Sequence, residues 1–529
     1  MNVSIRSRAC ALLLAAGLAS GVVGGARLSA ASAPASAPNV GGSAVYASDA
    51  EASCFVPSLC TLSYGPSSVR ALALEFLVRV AQNDVGYEFQ LAESVEESAD
   101  HTSFAFTLRP DVMFSDGTPL TAPLVKELFD TYITVEDSAM RGNVTTVESV
   151  DAPDDSTVVF NLSGPQAPFP VVLASVPIWK PASDMDKTSI PVGTGPFAIA
   201  SWEPNVATEF VRNEFYWRTD DSGQQLPYLD AITVVPTASG DTRVNALVAG
   251  DIDVAISVDP LLTQQMADSA RVLDPVALNA GSGLFFNNTS PPTDDLRVRS
   301  GLAWGTDKDQ ILAAVGGGEV RNQYFVQASP WYSEDAAETT PTFDQDTARE
   351  LLDEYINDPD RSDGEAVGTP LTIDIAYVAG SITQESVVAI AQQQWQDLGL
   401  TVTVTPKDEP TWVGDAISGN FNVNYFLWAT PHPYQLLSRN YARWPEAQTN
   451  YTHFNSDELI DLVEQMSLAD STEQMTELIH QADMVIAEGV PLIFLQSSTT
   501  GWGVSDRIEN AEVRPADGSL DFGTLSVSG

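Results

Sequence analysis

Residues 103–133 read SFAFTLRPDVMFSDGTPLTAPLVKELFDTYI, and the hydrophobic period changes in mid-course. Phe104, Phe106 and Leu108 recur at every second position, the period of a strand with one buried face. Asp116-Gly117 supplies a tight turn. Thr121 then stands where an N-cap belongs, and Leu124, Val125, Leu128, Phe129 and Tyr132 follow at helical spacing. The stretch is expected to form strand, turn and helix in succession.

Working outward, the same alternation of elements recurs. Residues 157–162 (TVVFNL) read as a strand, after which Pro165, Pro168 and Pro170 break regular structure. Residues 381–406 (SITQESVVAIAQQQWQDLGLTVTVTP) carry a capping box from Ser381 to Gln384 and a helix with Val387, Ala391, Trp395 and Leu398 on one face. A stop at Gly399 and a strand with Leu400, Val402 and Val404 on one side follow. Ser471 and Gln474 open another helix, and VPLIFLQ (490–496) returns to an apolar strand. Helices interleaved with strands indicate α/β lobes.

The chain is long enough for two or three lobes, at 529 residues and 44% hydrophobic. Asp and Glu total 71 against 25 Lys and Arg, a formal charge of −46, which argues against binding a nucleic-acid backbone. The acids are scattered, as on a solvated surface. Arg6 and Arg8, the apolar run Cys10 to Ala26 and the small residues ending in ASAPASAP have the three-part pattern of a secretory signal peptide, assigned to residues 1–32. No later run reaches the roughly 18–20 apolar residues of a membrane span, so an exported, soluble protein is expected. Residues 33–51 are expected to be a flexible linker, from their Ala, Ser, Pro and Gly content. Cys54 and Cys60 suit a small disulfide loop in an oxidising compartment, two free thiols being the alternative.

Enzyme motifs are missing. The chain has no GxSxG, HExxH or CxxC and no Gly-rich phosphate loop ending in Lys-Ser or Lys-Thr; VGGGEV (315–320) follows a helical pattern and reads as its stop. His101, His432, His453 and His480 are widely separated, and chance pairs are expected among so many carboxylates. No catalytic residue, cofactor or metal set is assigned.

Five segments together resemble the extracellular solute-binding proteins of the peptide and nickel class (family 5), the receptor components of ABC importers. They are FTLRPDVMFSDGTPLTAPLVKELFD, VGTGPFAIASWEPNVATEFVRNEFYW (192–217), LPYLDAITVVPTASGDTRVNALVAGDIDVA (226–255), LFFNNTSPPTDDLRVRSGLAWGTDKDQILAAVGGG, and NYTHFNSDELIDLVEQM. They occur in the family's order between about residues 60 and 500. The resemblance implies a periplasmic-binding-protein-like α/β fold with mixed sheets, two lobes around a ligand cleft and a small additional domain. By analogy, lobe I comprises 52–85, 192–275 and 486–529, the small domain 86–191 and lobe II 276–485. It further implies a monomer in the periplasm or on the extracellular face that encloses an oligopeptide or other medium-sized polar solute by hinge closure and hands it to an ABC permease. A nickel or metal-chelate receptor, a secreted hydrolase and a sensor module are the alternatives on the same scaffold.

Two departures from the family's pattern bear on function. Gly21 stands where a lipoprotein would carry its lipidated cysteine, so a lipid anchor is not expected. In residues 426–437 (FLWATPHPYQLL) Trp428 is retained, but Pro431 replaces the aspartate that in peptide-binding members pairs with the ligand's ammonium; no Asp or Glu occurs between Asp415 and Glu446. Tyr425, Trp428 and Tyr434 offer flat apolar faces there, and Thr430, His432 and Gln435 directional hydrogen bonds, a set suited to a sugar, a modified peptide or another neutral polar solute. Arg439 can hold a carboxylate. Tyr64, Gly65 and Ser67, after the expected first strand, and Phe286 and Asn287, at the end of a later one, complete the candidate ligand-binding set.

Overall fold

The strand Ser103–Leu108 and the helix Ala122–Thr134 form where alternation and helical spacing place them. Thr121 takes the N-cap position, but its hydroxyl makes no cap bond, and a proline in the first turn dispenses with one of the donors a cap would serve. The strand joins an antiparallel sheet in the order Ala92–Glu97, Ser103–Leu108, Thr157–Leu162, Val147–Asp151. Its inner face carries Phe104, Phe106 and Phe160 against Phe129 of the helix and Phe169. This is a computed structural model describing residues 38–528, apart from 61–63, 82–85, 136–137, 139, 183–184, 380, 430–431, 445–448 and 470. The expected signal peptide, residues 1–32, lies outside the described residues.

A second, mixed sheet of ten strands runs through the molecule. On one side stand Phe197–Glu203, Ala207–Arg212, Ala231–Pro236, Ser43–Ser48 and Val254–Ser257; on the other stand Val423–Ala429, Thr372–Val378 and Thr401–Lys407. Two long antiparallel strands, Arg271–Phe286 and Leu492–Val504, cross between the sides. Their register slips three times between Leu273 and Gly283, so the pairing that joins the two bodies is irregular where it crosses. The chain passes from the first body to the second through one of these strands and returns through the other.

Ser43–Ser48 corrects the expectation of a flexible linker over 33–51. The segment SAVYAS is a central strand, parallel to both Ala231–Pro236 and Val254–Ser257, with Tyr46 wholly buried. Small Ala and Ser side chains gave it a linker-like composition, yet the same small side chains let it lie between two neighbours that satisfy its backbone on both edges.

Elsewhere local signals and structure agree. The hydroxyls of Ser381 and Ser471 accept from the amides of Gln384 and Gln474, and Gly399 takes positive φ after its helix. Gly316, Gly317 and Gly318 end the helix Lys308–Ala314, and Cys54 is bonded to Cys60. The second body packs its sheet between two cores: Trp395, Tyr425 and Phe286 lie on one face, Trp428, Tyr324 and Phe494 on the other. Among the described residues no helix is long and apolar enough to cross a membrane.

Candidate ligand cleft

The strand Val423–Ala429 lies antiparallel to Arg271–Phe286, with Trp428 opposite Gly281 and Phe426 opposite Gly283. A Cβ on Gly281 would fall 2.4 Å from the Trp428 ring and one on Gly283 3.4 Å from it, so the paired glycines make the bed on which the indole lies. Tyr324 and Phe494 meet that ring edge-on, at centroid distances of 5.1 and 5.8 Å. Trp428 is 5% exposed and its Nε1 has no hydrogen-bond partner among the described residues. Tyr425 points to the opposite core, where burial pushes its hydroxyl up to about 12.

The helix Pro433–Asn440 begins at His432, whose Nδ1 accepts from the amide of Tyr434 at 3.2 Å. That bond leaves the proton of the neutral ring on Nε2. The ring is 6% exposed and rests edge-on against Trp331 at 5.5 Å, and burial draws its pKa down to about 4. From the first body, Gly86 closes on it: its φ is +74°, and a Cβ there would lie 2.8 Å from His432 Cδ2.

Further polar contacts cross at the same place. Gln166 Nε2 donates to the Tyr434 hydroxyl at 3.4 Å, Gln435 Nε2 to the Val171 carbonyl at 3.5 Å, and the Ala167 amide to the Ser467 carbonyl at 2.7 Å. Between the bodies here is a cavity of about 280 Å³. The first body lines it with Tyr87, Pro168 and Val171 among others, the second with Trp331, His432 and Met475. Glu97 and His101 also reach it, paired with each other. A separate contact joins Thr383 Oγ1 to Asp259 Oδ2 at 2.6 Å, while Oδ1 of the same aspartate caps the helix Pro260–Ala267.

The structure thus brings His432, Tyr434 and Gln435 together at the meeting of the bodies and puts Trp428 and Tyr425 behind them in two cores. Arg439 is exposed on the last turn of the same helix. Phe286 and Asn287 do not serve as a cleft wall. Phe286 is wholly buried, and Asn287 spends its amide on the carbonyls of Gly419 and Phe421 at 2.9 and 3.0 Å and its oxygen on Thr289, so neither has a group to offer a solute. Tyr64, Gly65 and Ser67 fall on a helix, Tyr64–Arg70; the Tyr64 side chain lies outside the described residues, as do Thr430 and Pro431. Ser67 lines a cavity of about 400 Å³ walled only by first-body residues, among them Glu75, Arg218 and Asp521, so it is not part of the seam. Gln166, Trp331 and the Asp259–Thr383 pair were not singled out from sequence. Gln166 sits inside the proline run that read only as a break, and Asp259-Pro260 is a legible cap whose second oxygen gave no sign of its partner.

The family profile for bacterial extracellular solute-binding proteins, family 5 Middle, matches residues 86–444. The chain belongs to this family, which comprises receptors that bind peptides or small solutes for ABC permeases. It is similar to a probable D,D-dipeptide-binding periplasmic protein of Escherichia coli K12, 24% identical over 77% of this chain and 78% of the relative. It also resembles a glutathione-binding protein of Pectobacterium atrosepticum, 27% identical over 80% and 83% respectively. In fold it matches the oligopeptide-binding protein of Bacillus subtilis in complex with a nonapeptide, with a TM-score of 0.78, 19% identity, and 93% and 100% of the two chains covered.

Proposed function

We propose that the protein works outside the cytoplasm as a receptor for a peptide-like or other medium-sized polar solute without a free ammonium group, closing its two bodies on that solute for delivery to an ABC permease. The observation that carries this reading is the construction of the seam. Two bodies joined covalently by two irregularly paired strands meet through a few polar contacts around a cavity, an arrangement that opens by hinge motion without unfolding either core. Two relatives, a probable D,D-dipeptide-binding protein and a glutathione-binding protein, support a peptide-sized polar solute. For the missing ammonium anchor, the support is that Glu97, the carboxylate at the cavity, is held by His101. Recognition of a neutral solute falls to the aromatic faces of Trp331 and Tyr87 and to the His432 Nε2 proton. A nickel receptor fits less well: among the described residues no three His, Cys, Asp or Glu side chains gather as ligands.

Native mass spectrometry of the protein purified from its own secretion route tests the reading. A peptide-sized molecule that leaves on denaturation, blocked or modified at its amino end, is the expected result. A solute held by a free α-ammonium would overturn the ligand class. Protein that carries no solute and gains no thermal stability from any fraction of a peptide digest, either as cleaved or after N-acetylation, would overturn the receptor assignment itself.

A further inference from the structure

His432 differs from the other buried ionisable groups of the molecule in its place. It lies where two bodies meet that share no covalent link at that point, and it has one job on each side. Toward its own helix it must accept, because Nδ1 takes the Tyr434 amide. Toward the first body it must be compact and uncharged, because Gly86 packs on its Cδ2 and Nε2 edge, while Trp331 of its own body covers another edge.

A proton on Nδ1 is incompatible with both. It removes the acceptor that caps the helix Pro433–Asn440 and sets a full positive charge beside the helix end that already carries positive partial charge. Among the described residues, the surroundings offer no charge to compensate it. Around the cavity the first body presents Tyr87, Glu97 and His101, and Glu97 is engaged by His101. The helix Thr472–Gly489 presents Thr472 and Met475, the segment with Trp331 presents that indole, and the ring's own helix carries Tyr434 beside it and Arg439 at its far end. Among the described residues no carboxylate pairs with His432.

We propose that His432 is a proton-operated latch: its neutral ring holds the two bodies together, and protonation releases them, so that the receptor keeps its solute near neutral pH and gives it up in a more acidic setting. The proposal rests on the reading of the chain as a closing receptor.

The sign follows from linkage. In the closed form the ring takes a proton only near pH 4, whereas a solvated histidine does so near 6.5. Above the solvated value both forms are neutral and closure carries no proton penalty. Below it, the open form gains a proton that the closed form refuses, and closure weakens about tenfold per pH unit until the closed-state value is reached. Between pH 8 and pH 5 the ratio of open to closed form rises about thirty-fold.

Amide hydrogen exchange on the whole protein reads this ratio even when the open form is rare. Protection of the amides of Ala167 and Tyr434, whose bonds cross or adjoin the seam, should fall about thirty-fold from pH 8 to pH 5 after correction for intrinsic exchange, while amides of the Ser103–Leu108 and Thr157–Leu162 strands keep theirs. His432→Asn keeps a neutral capping side chain and should abolish the pH response; His101→Gln should retain it. A wild-type seam with unchanged protection, or a fall that persists in His432→Asn, overturns the latch. Protein that carries no solute in the mass-spectrometric test while showing the expected exchange behaviour would instead overturn the receptor reading and leave the proton-operated seam standing.

Discussion

The seam around His432 and the core beneath Trp428 both bury polar groups, but opposite kinds of contact hold them. In the core, Trp428, Tyr324, Phe494 and Tyr441 interlock edge to face, and Tyr324 shares a 2.6 Å hydrogen bond with Tyr441. Asp483 nearby has no partner for either carboxylate oxygen among the described residues, and burial pushes its pKa well above the carboxylate range. At the seam, contacts are few, mostly long, and made to backbone carbonyls or neutral side chains. The difference teaches what each region is for. Aromatic packing tolerates a misfit acid because its many contacts outweigh one unfavourable group, whereas a seam that parts and re-forms, as proposed, would use bonds that water can replace at little cost.

The comparison is most severely tested at Gly281. Gly281→Leu drives a side chain into the Trp428 ring and toward the Gln496 carbonyl, and should cost about 3 kcal/mol or more of stability in urea denaturation, with a lowered midpoint. A loss below about 1 kcal/mol would show that the indole is not pinned as described.

Next in size is Asp483→Leu. Removing a buried carboxyl without partners should stabilise the fold by about 2 kcal/mol at pH 8. The folded pKa is raised, so the stability that the protonated acid retains is full below the unfolded value near 4 and is lost as pH rises toward the folded one. The gain from Asp483→Leu should therefore shrink as the pH is lowered toward 4. Thermal melts of both proteins across that range check the trend.

Smaller effects are expected at the seam, and they should separate closure from folding. Gly86→Ala meets both positive φ and the His432 ring; about 1 kcal/mol of global stability should be lost, with a larger proportional loss of Ala167 amide protection. Tyr434→Phe removes only the acceptor for Gln166. Unfolding should shift by less than about 0.5 kcal/mol, while seam protection falls about twofold to threefold. If Tyr434→Phe destabilised the whole fold as strongly as Gly281→Leu, the distinction between seam and core would fail.

Much of the fold was legible because short-range chemistry sets it. Alternation in Phe104, Phe106 and Leu108 and the capping hydroxyls of Ser381 and Ser471 report on neighbours within a few residues, and those elements formed. Ser43–Ser48 was missed because its stability comes from strands about 190 and 210 residues away, which its own small side chains do not announce. The candidate site was legible by halves. His432, Tyr434 and Gln435 lie at the seam as a group, since one helix carries them, but Gln166, Val171 and Gly86 face them from a segment some 260 to 350 residues earlier in the chain. Asn287 shows the converse: an asparagine at a strand end looks available to a ligand until the turn at Gly419 and Phe421 takes up its amide.

Residue chemistry along the chain was enough for particular helices and strands, such as Ser103–Leu108, Ala122–Thr134 and the helices capped by Ser381 and Ser471, and the family resemblance for the class of protein. Long-range packing decided the rest. It set which glycines receive the indole, which histidine nitrogen is left to donate, and that this histidine stands between two bodies rather than inside one. Caps, turns and periods are settled by atoms a few bonds apart, whereas a seam exists only once two separately packed surfaces have met.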